Sequence, residues 1–194
     1  MIPHDLTLEG ERVKLLPMES RHAEELAECG KADEIWDYLP KKATSLEVMA
    51  ELIEQALKGK KLGQEFPFVV FDKQLGKLVG STRYLAINAP NRNLEIGWTW
   101  YSPEVWRTRV NTECKYLLLK YGFEELRLLR VQLKTDTRNE RSNNAIRRIG
   151  GIHEGVLRQD RIMHDGYIRN ANLYSIIDNE WPEVKSKLEG FLHR

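Results

Sequence analysis

A short segment ahead of an amphipathic helix has the composition of an anion-binding site. Residues 106–123 read WRTRVNTECKYLLLKYGF, with apolar residues at helical spacing in the second half. The first four N–H groups of a helix lack intrahelical partners, and its dipole places about half a positive charge there. Arg107 and Arg109 add charge, so RTRVNT (107–112) can bind a pyrophosphate. An ordinary surface helix start is the simpler explanation, and Glu113 would repel a phosphate unless its side chain turned away.

A carboxylate on a predicted strand is the second candidate. Glu95 lies two residues before Gly97 in LEIGWTWY (94–101), and an acid held in a strand core can act as a general base. Glycine inside a strand often marks a bulge or a close approach to the backbone. Strand alternation also allows Glu95 to face solvent, and these residues alone leave both interpretations open.

The third candidate is Asn139 with Ser142, in the sequence NERS. Asn139 is a good N-cap for a short helix ending at Gly150. A plain cap and a neutral surface serine are the simpler explanations when these two residues are taken alone.

Composition narrows the function classes. The 194 residues contain 30 Lys+Arg and 29 Asp+Glu, and the net charge of +1 gives no indication of a nucleic-acid or membrane partner. The arginines of NERSNNAIRR (139–148) leave RNA contact as a distant alternative to a solvated helix face. Cys29 and Cys114 are too few for a disulfide framework, and the five histidines show no metal-ligand spacing. We therefore expect a soluble cytoplasmic protein without a metal.

The periodicity of the chain predicts one mixed α/β domain. Expected strands are 12–16, 66–71, 77–85, 94–101, 128–136, 152–157 and 167–177. Expected helices are 20–29, opening at Ser20; 44–59, with a Thr44–Glu47 capping box; 111–125; 139–149; and one from Trp181. A doubly wound nucleotide fold would alternate strand and helix throughout, which this order does not.

In this order the pieces resemble the GNAT acetyltransferases, most closely the RimJ/RimL-like protein N-acetyltransferase branch. The resemblance rests on LEGERVKLLPMESRHAEEL, on the continuous stretch from LEIGWTWY through NERSNNAIRRIGG to EGVLR, and on DGYIRNANLYSIIDNEW. It covers residues 8–181 and implies a single GNAT domain, with 182–194 as a C-terminal helix packed on it. The implied fold is a mixed, mostly antiparallel twisted sheet flanked by helices and splayed at its central strands.

The resemblance also implies a donor site for acetyl-CoA. The pantetheine arm would bind along the splayed strand and the pyrophosphate at the loop and helix start. In the family loop pattern Arg107 fits the first position, while Val110 replaces a glycine. Asn139 would contact the arm. The implied donor-binding residues are Trp98, Thr99, Trp100, Arg107, Thr108, Arg109, Val110, Asn111, Thr112, Asn139 and Ser142.

The implied chemistry is direct attack of an amine on the thioester. Glu95 would be the general base, and Ser142 or Tyr174 would protonate the coenzyme A thiolate. The resemblance favours a protein N-terminal amine as acceptor, and a homodimer is possible as in relatives. A small amine (a polyamine, amino acid or antibiotic) and a catalytically silent CoA-binding module are the alternatives.

Overall fold

The computed structural model describes residues 2–193, whose apolar segments form the strands of one sheet. Over these residues the eight strands are β1 (Leu8–Glu9), β2 (Val13–Pro17), β3 (Phe66–Asp72), β4 (Lys77–Asn88), β5 (Asn93–Tyr101), β6 (Arg130–Asp136), β7 (Ile152–Ile162) and β8 (Ile168–Ile177). Their order in the sheet is β1-β2-β3-β4-β5-β6-β8-β7. The short β1 was not predicted, and β4 and β5 extend into the predicted loop at 86–93.

Five α-helices accompany the sheet in the same residues. They are α1 (Ala23–Cys29), α2 (Leu46–Lys61), α3 (Val110–Lys120), α4 (Glu140–Arg148) and α5 (Trp181–Leu192). A π-helical turn, Tyr121–Glu125, continues α3, so the predicted helix at 111–125 is confirmed in two parts. None of the helices in 2–193 is long and apolar enough to cross a bilayer.

The strands β3 and β4 are buried on both faces over most of β3 and the first part of β4, and their side chains are divided between two cores. Along β3, Phe68 and Val70 belong to the core beneath α3 and α5, while Val69 belongs to the core beneath α1 and α2. This is the period-2 alternation of a strand. Each fully buried Val, Leu or Phe side chain contributes about 1.5–3 kcal/mol to the free energy of unfolding.

The apolar stripe predicted on α3 fixes that helix against the sheet. Cys114 and Leu118 are fully buried, and the Tyr84 hydroxyl of β4 donates to the Leu118 carbonyl at 2.6 Å. Val184 and Leu188 of α5 enter the same core. Packing therefore sets the position of the α3 N-terminus relative to the sheet.

Two predicted helix caps are wrong. Ser45, not Thr44, caps α2, because the Ser45 hydroxyl accepts the Val48 N–H at 3.3 Å. Ser20 begins a 3₁₀ turn whose N-cap is Glu19, and the Glu19 N–H donates to His22 Nδ1 at 3.0 Å. Both corrections move a boundary by one residue and leave the helices in place.

One strand pair separates part of the way along its length. Within residues 2–193, β5 and β6 are the parallel pair of an otherwise antiparallel sheet, and their pairing runs only from Asn93–Arg130 to Glu95–Gln132. Beyond Glu95 each strand continues without the other, to Tyr101 and Asp136. The mixed, mostly antiparallel sheet and its central splay are therefore confirmed.

Candidate active site

A cavity of about 370 Å³ lies where β5 and β6 separate, with residues of α3 and α4 on its walls. It brings together most of the residues singled out in the sequence. Those that line it are Glu95, Trp98, Thr99, Trp100, Arg107, Thr108, Asn111, Thr112, Asn139 and Ser142. Arg109, Val110 and Tyr174 lie elsewhere, for reasons given below.

A bulge in β5 shapes one wall of this cavity. Arg83 of β4 pairs with Gly97 and Ser81 with Trp100, so two residues of β5 oppose one of β4. Trp98 adopts a positive φ of 49° within the bulge. A Cβ on Gly97 would lie 2.8 Å from Leu85 Cδ1, so a larger residue at this position would require the Leu85 side chain to shift. Bulges of this kind commonly redirect side chains at functional sites.

The backbone of β5 is available to a ligand along this wall. The edge of β5 that faces β6 loses its strand partner after Glu95, while the opposite edge stays paired with β4 through Trp100 and Tyr101. Backbone N–H and C=O groups require hydrogen-bond partners when they are buried. An extended polar chain entering between β5 and β6 can supply those partners.

The N-terminus of α3 forms a second wall, but its loop differs from the expectation in detail. Val110, expected in the place of a glycine, is the first helical residue and is fully buried in the core. The residue with a left-handed backbone is Arg107, at φ 60°. Thr108 Oγ1 donates to the Val105 carbonyl at 2.7 Å and accepts the Val110 N–H at 3.3 Å. The loop is thus closed by a threonine side chain instead of by a glycine.

Two charged side chains of this segment point away from the cavity. Arg109 pairs with Glu11 at 2.7 Å and donates to the Leu192 carbonyl at 3.2 Å, which ties α3 to α5. It therefore lies outside the cavity lining, against the expectation. Glu113 is buried and accepts the Arg12 N–H at 3.1 Å. Because its carboxylate turns away, it does not compete with an anion at the α3 N-terminus.

Glu95 is buried at the point where the two strands part. Its side chain is held by β6: Gln132 Nε2 lies 2.9 Å and Lys134 Nζ 3.2 Å from Glu95 Oε2. The residue is 8% exposed and lines the cavity, so the solvent-facing alternative is wrong. Both contacts use Oε2, and Oε1 lies on the side of Gly97.

Asn139 and Ser142 lie at the start of α4, opposite β5. Asn139 is the N-cap, and its Oδ1 accepts the Ser142 N–H at 3.0 Å. Capping and lining the cavity are therefore compatible for this residue. Asn143, which the sequence reasoning missed, holds the turn from inside through Nδ2, which donates to the carbonyls of Asp136 and Asn139 at 3.0 and 2.8 Å.

Tyr174 supports this turn but does not reach the cavity. It is fully buried, and its hydroxyl donates to Asn143 Oδ1 at 2.7 Å. Because this proton is engaged and the side chain is absent from the cavity lining, Tyr174 is not placed to protonate a leaving group there. The geometry makes it a positioning residue for α4, whereas Ser142 lines the cavity.

Lys115 is a second residue that the sequence reasoning missed. Only 6% exposed, it lines the cavity and donates from Nζ to Thr99 Oγ1 at 2.7 Å, and Thr99 in turn bonds Thr82 at 2.8 Å. Burial lowers the pKa of Lys115 to about 8. A signal was present, because Lys115 follows Asn111 by four residues and so shares its helix face.

Further arginines contribute positive charge near the starts of α3 and α4. Arg148 Nη1 donates to Thr112 Oγ1 at 3.0 Å, and the Arg141 guanidinium lies 4.0 Å from the Trp106 ring centroid. Both side chains line the cavity. Two helix starts and several arginines give this end the character of a phosphate site. No cluster suited to a metal ion occurs within residues 2–193.

Comparison with known proteins assigns this architecture. Residues 12–152 match the family model described as acetyltransferase (GNAT) domain. YoaA, an uncharacterized N-acetyltransferase of Bacillus subtilis, is 31% identical over 180 residues, which are 88% of this chain and 96% of YoaA. The provisionally named ribosomal N-acetyltransferase YdaF of the same organism is 33% identical over 110 residues, 57% of this chain and 59% of YdaF.

Solved structures share the same fold. A provisionally assigned acetyltransferase from T. thermophilus superposes with a TM-score of 0.89 at 32% identity, covering 99% of this chain and 100% of its own. Mycobacterium smegmatis RimJ, solved in complex with CoA-disulfide, has a TM-score of 0.83 at 20% identity, covering 95% of this chain and 94% of its own.

Proposed function

Because this chain belongs to the GNAT family of acetyltransferases, which use acetyl-CoA, we propose that it transfers an acetyl group from acetyl-CoA to a protein N-terminal α-amine. The acetyltransferase activity follows from the family; the acceptor and the roles of individual residues are the proposal. The observation that carries it is the cavity at the β5–β6 splay, which combines an unpaired strand edge, two helix starts and a buried carboxylate.

The proposed donor site uses the backbone of β5 and the two helix starts. The free edge of Trp98–Trp100 receives the amide-bearing pantetheine arm as an additional strand would be received. The first-turn amides of α3, with Arg107 and Arg148, receive the pyrophosphate, and Asn139 borders the arm from α4. The RimJ structure, which shares this fold, was solved in complex with CoA-disulfide, and this supports acetyl-CoA as the donor.

Glu95 is proposed as the general base. An α-amino group has a pKa of about 7.7–8.0, against about 10.4 for a lysine side chain, so an N-terminal amine needs little assistance near neutral pH. Glu95 accepts the proton of the amine, directly or through a water molecule, with Gln132 and Lys134 fixing its orientation. Its burial beside the strand separation supports this role, because the thioester would lie beside the same strand.

The remaining steps involve β5 and α4. The amine nitrogen bonds to the thioester carbon, and a backbone N–H of 97–100 stabilises the oxyanion that forms. The C–S bond then breaks as the carbonyl is restored, and Ser142 relays a proton to the thiolate, giving up its own and taking one from solvent, to which Glu95 releases the proton of the amine. The free amine becomes an amide, and coenzyme A leaves as a thiol.

The α-amine preference rests on relatives, since the name of YdaF refers to ribosomal N-acetylation. The test combines binding and turnover. Thermal shift with acetyl-CoA, CoA and NAD should show stabilisation by the first two only, by about 2.7 kcal/mol at 100 times Kd. Thiol release with short peptides, spermidine and free amino acids then identifies the acceptor. Binding of acetyl-CoA without turnover on any amine would instead support a silent CoA-binding module.

A further inference from the structure

We propose that the cavity contains a carboxylate-binding subsite for the acceptor, formed by Lys134, Arg161 and Arg169 and here named the cationic subsite. This inference rests on the proposed function, because it assigns a chemical class to the amine acceptor. All three side chains line the cavity, and they come from β6, β7 and β8, away from the α3 and α4 helix starts.

Arg169 is the central residue of the cationic subsite. It is 7% exposed and pairs through Nη2 with Asp160 Oδ2. Its Nε is buried and has no hydrogen-bond partner within residues 2–193. A buried guanidinium N–H without a partner is unfavourable, and its five donors are arranged to hold a carboxylate through two parallel hydrogen bonds. Arg169 thus retains capacity for an anion beyond Asp160.

The pairing of β7 with β8 concentrates positive charge beside it. Arg161 lies directly opposite Arg169 in the register, and like charges in that position repel each other. The register shifts between Leu157 and Arg161, with Gln159 at φ 52° and its N–H donating to Asn170 Oδ1 at 2.8 Å. An anion bound between the two arginines would relieve their repulsion.

Lys134 connects the cationic subsite to the proposed base. Its Nζ is 3.2 Å from Glu95 Oε2, and its positive charge also stabilises the ionised form of Asp160. Burial alone would raise the pKa of Asp160, but the hydrogen bond from Arg169 and the charges of Arg169, Lys134 and Arg161 lower it below the ordinary value. A row of alternating charges therefore runs from Glu95 to Arg169.

The charge balance selects the acceptor class. The cationic subsite has three cations, and the row contains two carboxylates, Glu95 and Asp160. A polyamine would place a second ammonium beside these three cations, which would repel it. An acceptor whose carboxylate lies near its amine would pair both groups, the amine with Glu95 and the carboxylate with Arg169. Such a carboxylate is supplied either by an acidic side chain near a peptide N-terminus or by the α-carboxylate of a free amino acid.

Matched acceptors test the cationic subsite and separate these two sources. Thiol release from acetyl-CoA is measured with the peptide amides Ala-Asp-Ala-Ala and Ala-Asn-Ala-Ala, and with alanine and alaninamide. We expect kcat/KM to be at least about tenfold higher for the acidic member of one pair. A preference within the peptide pair identifies a side-chain carboxylate, and one within the alanine pair an α-carboxylate.

Variants locate the preference. Arg161→Gln changes an exposed residue and should raise KM for the acidic acceptor with little change in kcat, leaving the amide member unaffected. Arg169→Lys keeps the positive charge that pairs with Asp160 but removes the guanidinium Nε–H. It should also raise KM for the acidic acceptor with little change in kcat. Arg158→Gln, an exposed arginine of β7 outside the cavity lining, is the control and should change neither member.

The outcomes distinguish the subsite from the function on which it rests. Equal kcat/KM within both pairs, or a preference for spermidine, would overturn the cationic subsite while leaving acetyl transfer intact. Loss of the preference in Arg158→Gln to the same extent as in Arg161→Gln would also overturn it. Turnover of no amine by the unsubstituted protein, despite acetyl-CoA binding, would overturn the subsite and the proposed function together.

Discussion

The two ends of the cavity are built from different parts of the chain. The end near α3 and α4 is lined by residues from three short segments, within 97–100, 107–112 and 139–142, where the free edge of β5 and the first turn of α3 offer backbone groups. The end near Glu95 is lined by residues from four strands, among them Lys134, Arg161 and Arg169. Backbone groups suit a donor that every member of a family shares, whereas side chains can change with the acceptor.

The buried and partly buried cations at the two ends differ in the charge of their hydrogen-bond partners. Lys115 bonds a hydroxyl, Thr99 Oγ1, whereas Arg169 pairs with Asp160 and Lys134 with Glu95. A buried charge is costly unless it is paired. Lys115 is therefore the cation whose charge is least well compensated. We expect substitutions at the two ends of the cavity to change stability and catalysis differently.

The largest effect is expected at Glu95. Glu95→Gln should lower kcat, by up to about 10²–10⁴ at low pH, because it removes the proposed base, while the Kd for acetyl-CoA stays unchanged. The loss should be greatest at low pH, where more of the acceptor amine is protonated. Steady-state kinetics from pH 6 to 9 with calorimetric Kd values measure both, and Glu140→Gln on the exposed face of α4 is the control. An unchanged kcat at every pH would remove Glu95 from the mechanism.

Lys115→Met should stabilise the protein at pH 7. Burial lowers the pKa of Lys115 from 10.5 to about 8, so the unfolded chain binds more protons than the folded one between these values. Stability therefore rises with pH in that window, and the cost of burying the charge is fully present below about pH 8. Removing the amine should raise the free energy of unfolding by roughly 3 kcal/mol at pH 7 and flatten that rise.

Urea titrations at pH 7 and pH 10 measure this change. Lys120→Met, an exposed position on the same helix, serves as control and should leave the pH dependence intact. If Lys115→Met destabilised the protein equally at both pH values, the side chain of Lys115 would stabilise the fold by packing, and the cost of burying its charge would be small.

Substitutions of Ser142 and Tyr174 should distinguish a proton donor from a residue that only positions α4. Ser142→Ala should reduce kcat by about tenfold or more without changing stability, since it removes only the hydroxyl at the cavity. Tyr174→Phe removes one of two donors to Asn143 Oδ1, which keeps its hydrogen bond from Asn172 Nδ2 at 2.8 Å. It should cost about 0.5–1.5 kcal/mol of stability, with a smaller effect on kcat. Thermal denaturation and kinetics on both variants decide, and the reverse pattern would return Tyr174 to the role of proton donor.

The smallest effect is expected at Arg107. Arg107→Gly removes a side chain from a residue at φ 60° and should stabilise the protein by about 0.5–1 kcal/mol. It also removes a charge from the proposed pyrophosphate site, so the Kd for acetyl-CoA should rise several-fold at low salt and less at high salt. Calorimetry at two salt concentrations measures this, with Arg127→Gly, also at positive φ but outside the cavity lining, as the matched control. An equal loss of affinity in both variants would count against phosphate contact by Arg107.

Local patterns were sufficient to predict the helices and most of the strands. The stripe of Cys114, Leu117 and Leu118 predicts α3 because helix periodicity is a property of neighbouring residues. The Asn139 cap is equally local and is confirmed by its bond to the Ser142 N–H. Cap positions such as Thr44 were wrong by one residue, because adjacent hydroxyl residues offer the backbone nearly the same bond.

The directions of individual side chains could not be predicted from the sequence. Arg107 and Arg109 are two residues apart in one charged loop, yet one lines the cavity and the other is drawn to Glu11 and the Leu192 carbonyl. Partners of Arg109 are distant along the chain, and packing of α3 against α5 brings them together. The same applies to Tyr174 of β8, whose hydroxyl donates to Asn143 Oδ1 of α4.

The sequence by itself determined the order of strands and helices, and its resemblance to the GNAT acetyltransferases predicted the family and the splayed strand. The strands and helices depend on hydrogen bonding and apolar spacing within a few consecutive residues. The tertiary structure alone decided that Lys115 lies buried beside Thr99 and that Arg161 and Arg169 stand opposite each other near Glu95. Burial, pKa and charge pairing arise from groups far apart in the chain, so they exist only once the strands have assembled.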